Sequence, residues 1–299
     1  MKAVRYDRFT GISGIYLAEL PEPMPGSGEV VVRVEASALN PGALSALHGS
    51  SYTPGRDLAG EVVAIGADVD SFAVGDAVLG WLQSWDAHAQ LVAVPAVQLV
   101  SKPRALPWDV AGSLYTTPMA GLGAIRAVEP QPGETLVISG ASGGVGFTAA
   151  QLALRAGARV IGLTSATHFP LLQHHGIEPV QYGDGERDRI RAAADRVDAF
   201  IDAVGGGYLD LALDLGVPTG RIDTVVDYRG AKEKGVKALG TTDAGGTPAL
   251  AELASLAAAG DLHIPIAAAY PLTAVQDAYQ ALTDRKAHGR IVLHPQDLD

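Results

Sequence analysis

Short apolar runs separated by turn residues occupy the first hundred positions of the chain. Between residue 1 and about residue 103, β-branched residues alternate with Gly, Pro and Asp, a pattern typical of strands with few helices. We therefore predict an all-β amino-terminal unit. The predicted strands within it are Glu29–Glu35, Gly60–Ile65, Asp76–Leu79 and Gln90–Val94.

The pattern changes near Trp108 to strand, glycine turn, helix and strand. Because helical segments separate the strands, we predict a parallel, doubly wound sheet in this part of the chain. After Pro271 we expect one more helix, ending near Lys286, and a terminal strand at Arg290–His294. The predicted elements between them are the strands Thr135–Ser139, Ala158–Leu163, Ala199–Ala203 and Arg221–Val226 and the helices Gly143–Ala156 and Pro248–Ala259.

Composition narrows the class of protein. The 299 residues allow two domains, and a formal net charge of −11 disfavours binding to nucleic acid or to an anionic membrane surface. The chain has no cysteine, which excludes disulfides, thiolate nucleophiles and cysteine-held metals. No apolar run approaches the roughly 18 residues that a membrane span needs, and the start of the chain lacks a signal segment. We predict a cytoplasmic protein without nucleic-acid or membrane partners.

A glycine-rich turn between a predicted strand and a predicted helix is the strongest local motif. Glycines let the backbone turn tightly and approach a pyrophosphate, while the amino end of the helix supplies partial positive charge. The alternative is an ordinary strand-to-helix turn, but the regular strand, helix, strand order favours a dinucleotide site. The predicted cofactor contacts are Gly140, Ser142, Gly143, Gly144, Val145 and Gly146.

The end of the second predicted strand indicates which dinucleotide is preferred. No acidic residue stands there to bind the ribose hydroxyls of NAD. Thr164, Ser165 and His168 could bind a 2′-phosphate instead, which favours NADP(H), although a helix-capping role for the two hydroxyls is an equal alternative. Val204 follows a later strand, where the loop either contacts the nicotinamide or is a plain turn.

Five stretches spread in order over nearly the whole chain resemble the medium-chain dehydrogenase/reductase superfamily, in its zinc-independent quinone oxidoreductase (zeta-crystallin-like) branch. The resemblance implies an α/β plus β fold, in which a GroES-like β-barrel catalytic domain accompanies a Rossmann doubly wound parallel-sheet domain, with the active site in the cleft between them. The stretches are Ala38–Pro41, Pro54–Val62, Phe72–Val78, Gly140–Gly146 with Gln151–Ala153, and Gly289–Leu293.

The resemblance also implies a domain order and the loss of zinc. We expect the catalytic domain at residues 1–112 and 266–299, the NADP-binding domain at 113–265, and a homodimer. Zinc members carry a Cys near the position of Asn40 and a His-Glu pair at the positions of Arg56 and Asp57, as well as a lobe of four cysteines. This chain has none of these residues, so we expect no zinc.

Asn40 and Tyr52 are the candidate catalytic residues by their match to motifs of zinc-free members. Either could donate a hydrogen bond to a developing enolate oxygen, whereas a turn cap at Asn40 and a packed loop aromatic at Tyr52 are the alternatives. Tyr115 and Thr116 are candidate pocket residues, because Ala120-Gly121 replaces a Thr-Ala pair that other members place near the nicotinamide. One of them or Thr117 takes over that contact, or the pocket is wider. Arg290 either reaches a cofactor phosphate or lies in a surface turn.

Without zinc, the chemistry that remains accessible is hydride transfer to an acceptor that already delocalises charge. We therefore predict an NADPH-dependent reductase of a quinone or another α,β-unsaturated carbonyl compound. Two alternatives stay open at this point. One is an enoyl reductase of a biosynthetic, polyketide-like intermediate, and the other is a non-catalytic NADPH-binding protein.

Overall fold

The computed structural model describes residues 1–6, 11–40, 42, 53–284 and 289–298. Its strands are β1 (Lys2–Tyr6), β2 (Ile15–Glu19), β3 (Glu29–Ala38), β4 (Asp57–Ile65), β5 (Ala77–Trp81), β6 (Leu91–Pro95), β7 (Leu99–Ser101), β8 (Thr135–Ser139), β9 (Arg159–Thr164), β10 (Glu178–Gln181), β11 (Ala199–Asp202), β12 (Ile222–Thr224), β13 (Ile266–Pro271) and β14 (Arg290–His294).

Its α-helices, numbered over the described residues, connect or flank these strands. They are α1 (Trp108–Ala111), α2 (Thr116–Val128), α3 (Gly144–Arg155), α4 (Phe169–His174), α5 (Glu186–Ala193), α6 (Tyr208–Asp214), α7 (Tyr228–Lys234), α8 (Gly246–Ala258) and α9 (Val275–Thr283). No helix among the described residues has the length and apolar character needed to cross a membrane.

The chain packs as two compact units. The β unit comprises Met1–Thr116 and Gly246–Asp299, and the α/β unit comprises Thr117–Gly245. Helix α8 belongs to the β unit because it packs against β7. The domain limits expected at 112/113 and 265/266 stay a prediction.

The β unit is built on a seven-stranded, largely antiparallel sheet. Its order is β13-β14-β3-β4-β5-β7, and β6 also pairs with β3. The carboxyl-terminal strand β14 pairs with β3, with Val292 opposite Ala38. β1 and β2 form a separate two-stranded antiparallel sheet.

The α/β unit contains a five-stranded parallel sheet in the order β10-β9-β8-β11-β12. All five residues of β8 are buried, as expected for a central parallel strand covered on both faces. Leu136 and Ile138 of β8 lie in one core and Val137 in another, because successive side chains of a strand point to opposite faces. A largely antiparallel β unit and a doubly wound α/β unit confirm the predicted fold class.

The chain order reverses between β8 and β11. Connections from β8 run through β9 to β10 on one side of the sheet, and β11 and β12 lie on the other side. In open parallel sheets, ligands bind in the crevice at the carboxyl ends of the strands at such a point. The loops that follow β8 and β11 are therefore where a cofactor site is expected in this unit.

His88 is a fully buried titratable group in the β unit. Its Nε2 faces Ala38 O at 3.5 Å and its Nδ1 lies 3.3 Å from Tyr279 Oη. Burial lowers the pKa of His88 to about 4, with the hydrogen bond to Ala38 opposing that shift. The imidazole is therefore neutral in the folded protein at neutral pH.

We expect His88 to make the fold less stable in mild acid. Between the unfolded pKa of 6.5 and the folded pKa of about 4, the unfolded chain binds more protons, so lowering the pH favours unfolding. From about pH 7.5 to about pH 5 this one group lowers the free energy of unfolding by about 2 kcal/mol. Urea unfolding of the wild type and of His88→Gln at both pH values measures the difference. An equal acid-induced loss in both proteins would contradict the assignment.

Candidate functional site

The glycine turn joins β8 to helix α3 in the α/β unit. Gly140 has a φ of +62°, which favours glycine, and its carbonyl accepts a hydrogen bond from the Gly143 amide at 2.9 Å. Gly143 is the N-cap of α3 and supplies no capping side chain, so the first amides of the helix keep their donor capacity for a ligand. A Cβ on Gly146 would clash with the carbonyl of Gly140. The three glycines therefore have separate roles in a compact turn.

Thr117 adds a buried hydroxyl to the same turn. Its Oγ1 has no hydrogen-bond partner in the described part of the chain, and a Cβ on Gly144 would lie only 2.9 Å from it. An unsatisfied buried hydroxyl normally needs an explanation, and a polar group of a ligand at the turn would supply its partner. The turn and this hydroxyl fit a dinucleotide.

The residues predicted to bind a 2′-phosphate lie at the end of β9. Thr164 is buried, and its Oγ1 shares a hydrogen bond of 2.8 Å with Ser142 Oγ. Ser165 Oγ lies 2.8 Å from His168 Nδ1. Ser165 begins a short 3-10 helix but makes no side-chain cap bond, so the capping alternative is wrong for this residue. The structure thus links Thr164 to the glycine turn and joins Ser165 to His168.

Asp202 holds the loop after β11 in place through hydrogen bonds. This fully buried carboxylate accepts hydrogen bonds from Ser139 Oγ at 2.8 Å and Thr224 Oγ1 at 2.9 Å, and from the backbone amides of Val204 and Gly205. Three strands are joined in this way at their carboxyl ends. Val204 remains half exposed, and it lies against Gly140 so closely that a Cβ there would be 2.7 Å from its Cγ2. The structure therefore brings Val204 to the glycine turn.

A second polar network is buried in the β unit around Asp57. The Asp57 carboxylate accepts hydrogen bonds from Asn40 Nδ2 at 2.8 Å, from the Thr116 amide at 2.7 Å, and from the Thr116 hydroxyl. Ser37 Oγ donates to the Asp57 backbone carbonyl at 2.7 Å. Asp57 and Asn40 are 1% and 4% exposed, so both depend on these internal partners.

Arg290 completes this network from β14. Its Nη2 donates to Asn40 Oδ1 at 2.8 Å and to Leu39 O at 3.1 Å. Burial lowers the pKa of Arg290, and the nearby charge of Asp57 opposes that shift. The surface-turn alternative for Arg290 is wrong, because the side chain is 7% exposed and lies on a strand. The guanidinium and the Asp57 carboxylate instead balance each other through Asn40, and a phosphate contact stays a prediction.

The remaining predicted residues lie partly within and partly outside the described part of the chain. Tyr115 is buried and stacks on Trp81, with ring centroids 4.2 Å apart. Thr116, its neighbour, is bound to Asp57 as described above. Tyr52 lies outside the described residues. The turn-cap alternative for Asn40 is not what the structure shows, since its side chain bridges Asp57 and Arg290.

Comparisons with known proteins match both parts of the chain. Residues 26–104 match the family model of the alcohol dehydrogenase GroES-like domain, and residues 176–293 match that of the zinc-binding dehydrogenase. A chloroplastic quinone-oxidoreductase QR1 of Triphysaria versicolor is 32% identical over 60% of each chain. An acryloyl-coenzyme A reductase of Sulfurisphaera tokodaii is 26% identical over 94% of this chain and 97% of the relative.

Among solved structures, the quinone oxidoreductase from Coxiella burnetii superimposes with a TM-score of 0.87 at 26% identity, covering 98% of this chain and 99% of that one. The chain belongs to the medium-chain dehydrogenase/reductase superfamily, in its quinone oxidoreductase branch. It is thus an oxidoreductase of a superfamily that binds NAD or NADP and acts on small molecules.

Sequence reasoning missed the anchoring roles of Asp57 and Asp202. Asp57 begins β4 and Asp202 ends β11, and each is flanked within its strand by buried apolar residues, so the charge needs buried partners. That signal was present in the sequence. The partners Thr116 and Thr224 could not be named from it, because they lie on other elements that only the fold brings near.

Proposed function

We propose that this protein is a zinc-independent, NADPH-dependent reductase of a quinone or another α,β-unsaturated carbonyl compound. The observation that carries the proposal is the network of Asn40, Asp57 and Arg290. By the family resemblance, Asn40 and Asp57 stand at positions where zinc members carry a Cys and the Glu of a His-Glu pair. The glycine turn and the buried Thr117 hydroxyl support the binding of a nicotinamide dinucleotide. When bound there, a nicotinamide dinucleotide supplies a hydride.

The hydroxyls at the end of β9 support NADPH over NADH. Gly140, Gly143 and Gly146 would hold the pyrophosphate against the start of α3. Ser165 and His168 present a hydroxyl and an imidazole where NAD-preferring sites place an acidic side chain. The buried Thr164 hydroxyl links the end of β9 to the glycine turn through its hydrogen bond to Ser142.

The donor set around Asp57 does not fit zinc. The site offers an amide at Asn40 and a cation at Arg56, where zinc members provide a thiolate and an imidazole. Asp57 itself is already saturated by Asn40 and Thr116. In the described part of the chain, no group of three or more His, Asp or Glu residues is arranged to hold a metal ion.

Asn40 is the residue that we propose to stabilise the reduced acceptor. Its carboxamide is held at both ends, with the oxygen on Arg290 and one N–H on Asp57. The second N–H of the amide is the donor offered to a developing enolate or phenolate oxygen. A preorganised donor of this kind stabilises charge as it forms, without having to reorient.

Reduction of a carbon–carbon double bond conjugated to the carbonyl of a thioester is the second candidate activity. It is favoured by the acryloyl-coenzyme A reductase, which is similar to this chain over nearly its whole length. The same donor would serve the enolate formed in that reaction. A panel that contains small quinones and enoyl thioesters, with products identified by mass spectrometry, separates the two activities. The homodimer and the cytoplasmic location expected from the sequence stay predictions.

The acceptor panel tests the proposal. NADPH and NADH are first titrated by cofactor fluorescence, and each acceptor is then assayed with the cofactor that binds. We expect tighter binding of NADPH and turnover of at least one conjugated carbonyl compound. Tight NADPH binding without reduction of any acceptor would instead favour a non-catalytic NADPH-binding protein.

Asn40→Ala is expected to lower kcat for the best quinone about 100-fold, because loss of one donor to a developing oxyanion has an effect of this size. The affinity for NADPH should change little, since Asn40 lies in the β unit and not in the glycine turn. Ser113→Ala is the matched control, because it removes another buried hydrogen bond of the β unit, 2.7 Å to Asp109 O. Equal kcat values in Asn40→Ala and Ser113→Ala would show that Asn40 does not stabilise the reduced acceptor.

A further inference from the structure

One cation and three aromatic rings lie together in the β unit. Trp81 and Tyr115 are stacked with their planes 4° apart. The guanidinium carbon of Arg56 lies 5.3 Å from the ring centroid of Trp85 and 5.2 Å from that of Tyr115. We call these four residues the arginine–aromatic cluster. Stacking on rings leaves the edge of a guanidinium free to donate hydrogen bonds in the plane of the group.

The charge of Arg56 is not balanced by an ion pair. No carboxylate among the described residues lies within 4.0 Å of its nitrogens, and Nη2 donates only to the amide oxygen of Gln83 at 3.1 Å. Its Nε is buried and has no acceptor within the part of the chain that the structure describes. In a chain with 33 acidic and 22 basic residues, a cation without a carboxylate partner is not explained by a shortage of acids. An unpaired, partly buried cation is costly unless something else binds it.

Trp85 is held in an uncommon backbone conformation within this cluster. Its φ is +67°, a left-handed value that a bulky aromatic residue rarely adopts. The turn is closed by a bond from the Trp85 amide to Leu82 O at 3.3 Å. Strain of this kind persists only where the surroundings impose it, and it is found most often at binding sites. Here it places the indole over the Arg56 guanidinium.

The cluster adjoins the Asp57 network along the chain. Arg56 precedes Asp57, and Tyr115 precedes Thr116, which binds the Asp57 carboxylate. Trp81 is the register partner of Asp57 across β4 and β5. Three of the four residues of the cluster are therefore adjacent to residues of the network that contains Asn40.

We propose that the arginine–aromatic cluster binds an anionic group of the acceptor, so that the preferred substrates are planar conjugated carbonyl compounds that carry an ionised acidic substituent. This inference rests on the proposed reductase function. The guanidinium donates to the anion through its unsatisfied edge, and the partly exposed indoles of Trp81 and Trp85 offer a flat apolar surface to the conjugated part of the molecule. Substrates without a negative charge would lose the first of these contacts.

A matched pair of acceptors tests the proposal. We would measure kcat/KM for 1,4-naphthoquinone-2-sulfonate and for 1,4-naphthoquinone, which share the ring system and differ in charge. The ratio of the two values in the wild type is divided by the ratio in Arg56→Gln. We expect this quotient to be about tenfold or more, the effect of one charge-assisted hydrogen bond. Arg104→Gln is the control, because it removes the same charge from an exposed position and should leave the ratio as in the wild type.

Equal ratios in the wild type and in Arg56→Gln would overturn the proposal while leaving the reductase function in place. Arg56→Lys keeps the charge but loses the planar fork, so we expect an intermediate ratio. This variant also provides the answer if Arg56→Gln does not fold. A ratio in Arg56→Lys below that of Arg56→Gln would likewise contradict the proposal.

If the wild type reduces neither quinone, the acceptor panel decides the reductase function and the binding site is tested directly. Trp81 and Trp85 are two of the three tryptophans of the chain, so titration with the sulfonate should quench their fluorescence. A dissociation constant about tenfold weaker in Arg56→Gln would support anion binding by the cluster. Equal dissociation constants would exclude it.

Discussion

Replacing Gly146 by alanine is expected to abolish tight binding of NADPH. A Cβ at this position would lie 2.9 Å from the carbonyl carbon of Gly140 and 3.0 Å from Ala141 Cα, so the turn must open. We expect the affinity to fall more than tenfold, because overpacking of this kind costs about 1–3 kcal/mol and acts on the backbone that would hold the pyrophosphate. Titration by NADPH fluorescence measures the loss, and thermal unfolding measures the effect on the fold.

Gly220→Ala is the matched control for this experiment. It adds the same methyl group to the α/β unit, nothing lies within 4 Å of the added Cβ, and Gly220 lies outside the glycine turn. Equal affinities for NADPH in the two variants would show that the turn does not form the pyrophosphate site.

Removing the Asp57 carboxylate is expected to have the largest effect on stability. Asp57→Ala leaves the buried Arg290 cation without its counter-charge and leaves Asn40 and the Thr116 amide without an acceptor. Breaking a buried charge pair in this way costs about 3–5 kcal/mol in the free energy of unfolding. Arg290→Met should cost a similar amount, because it leaves the carboxylate as the uncompensated charge.

The double variant decides whether the two charges act as a unit. Since neither charge remains in Asp57→Ala with Arg290→Met, the loss should be smaller than the sum of the single losses by about 1–3 kcal/mol. Urea unfolding of the four proteins gives the coupling energy. Strict additivity would mean that Asn40 does not couple the two side chains.

The strands that the sequence predicted best are those whose environment follows from their own residues. β8 and β14 begin and end where the apolar pattern places them, because nearly every residue of each is buried. The start of β4 was predicted three residues late, at Gly60, because Asp is common in turns and rare inside strands. In the structure the Asp57 carboxylate is hydrogen-bonded by Asn40 and Thr116, which are distant from it in sequence.

Helix α2 is an element that the sequence analysis did not predict. Gly121 and Gly123 lower helix propensity in its middle, so no helix was predicted there. In the structure a Cβ on Gly121 would lie 2.8 Å from Val145 O, and one on Gly123 would lie 2.9 Å from the carbonyl carbon of Gly240. The glycines allow close backbone approach, a need that arises only after folding.

The glycine turn proposed to bind the cofactor was predictable from the sequence, whereas the buried network of Asn40, Asp57 and Arg290 was not. The glycine turn Gly140–Gly146 lies between a strand and a helix that are its neighbours in sequence. The residues of this one segment were therefore enough to predict it. Arg290 was placed at a phosphate or in a surface turn because a lone basic residue gives no sign of a buried acceptor. Its actual contact with Leu39 spans 251 positions of the chain, beyond the reach of local patterns.

The pairing of β14 with β3 sets an order for events during synthesis on the ribosome. The α/β unit is one continuous segment, Thr117–Gly245, and all its strands are translated before β13 and β14. The sheet of the β unit is completed later, because the edge of β3 at Ala38 has no partner strand until Val292 has been made. The segment in the middle of the chain can therefore complete its sheet first, and the amino-terminal strands are the last to be closed.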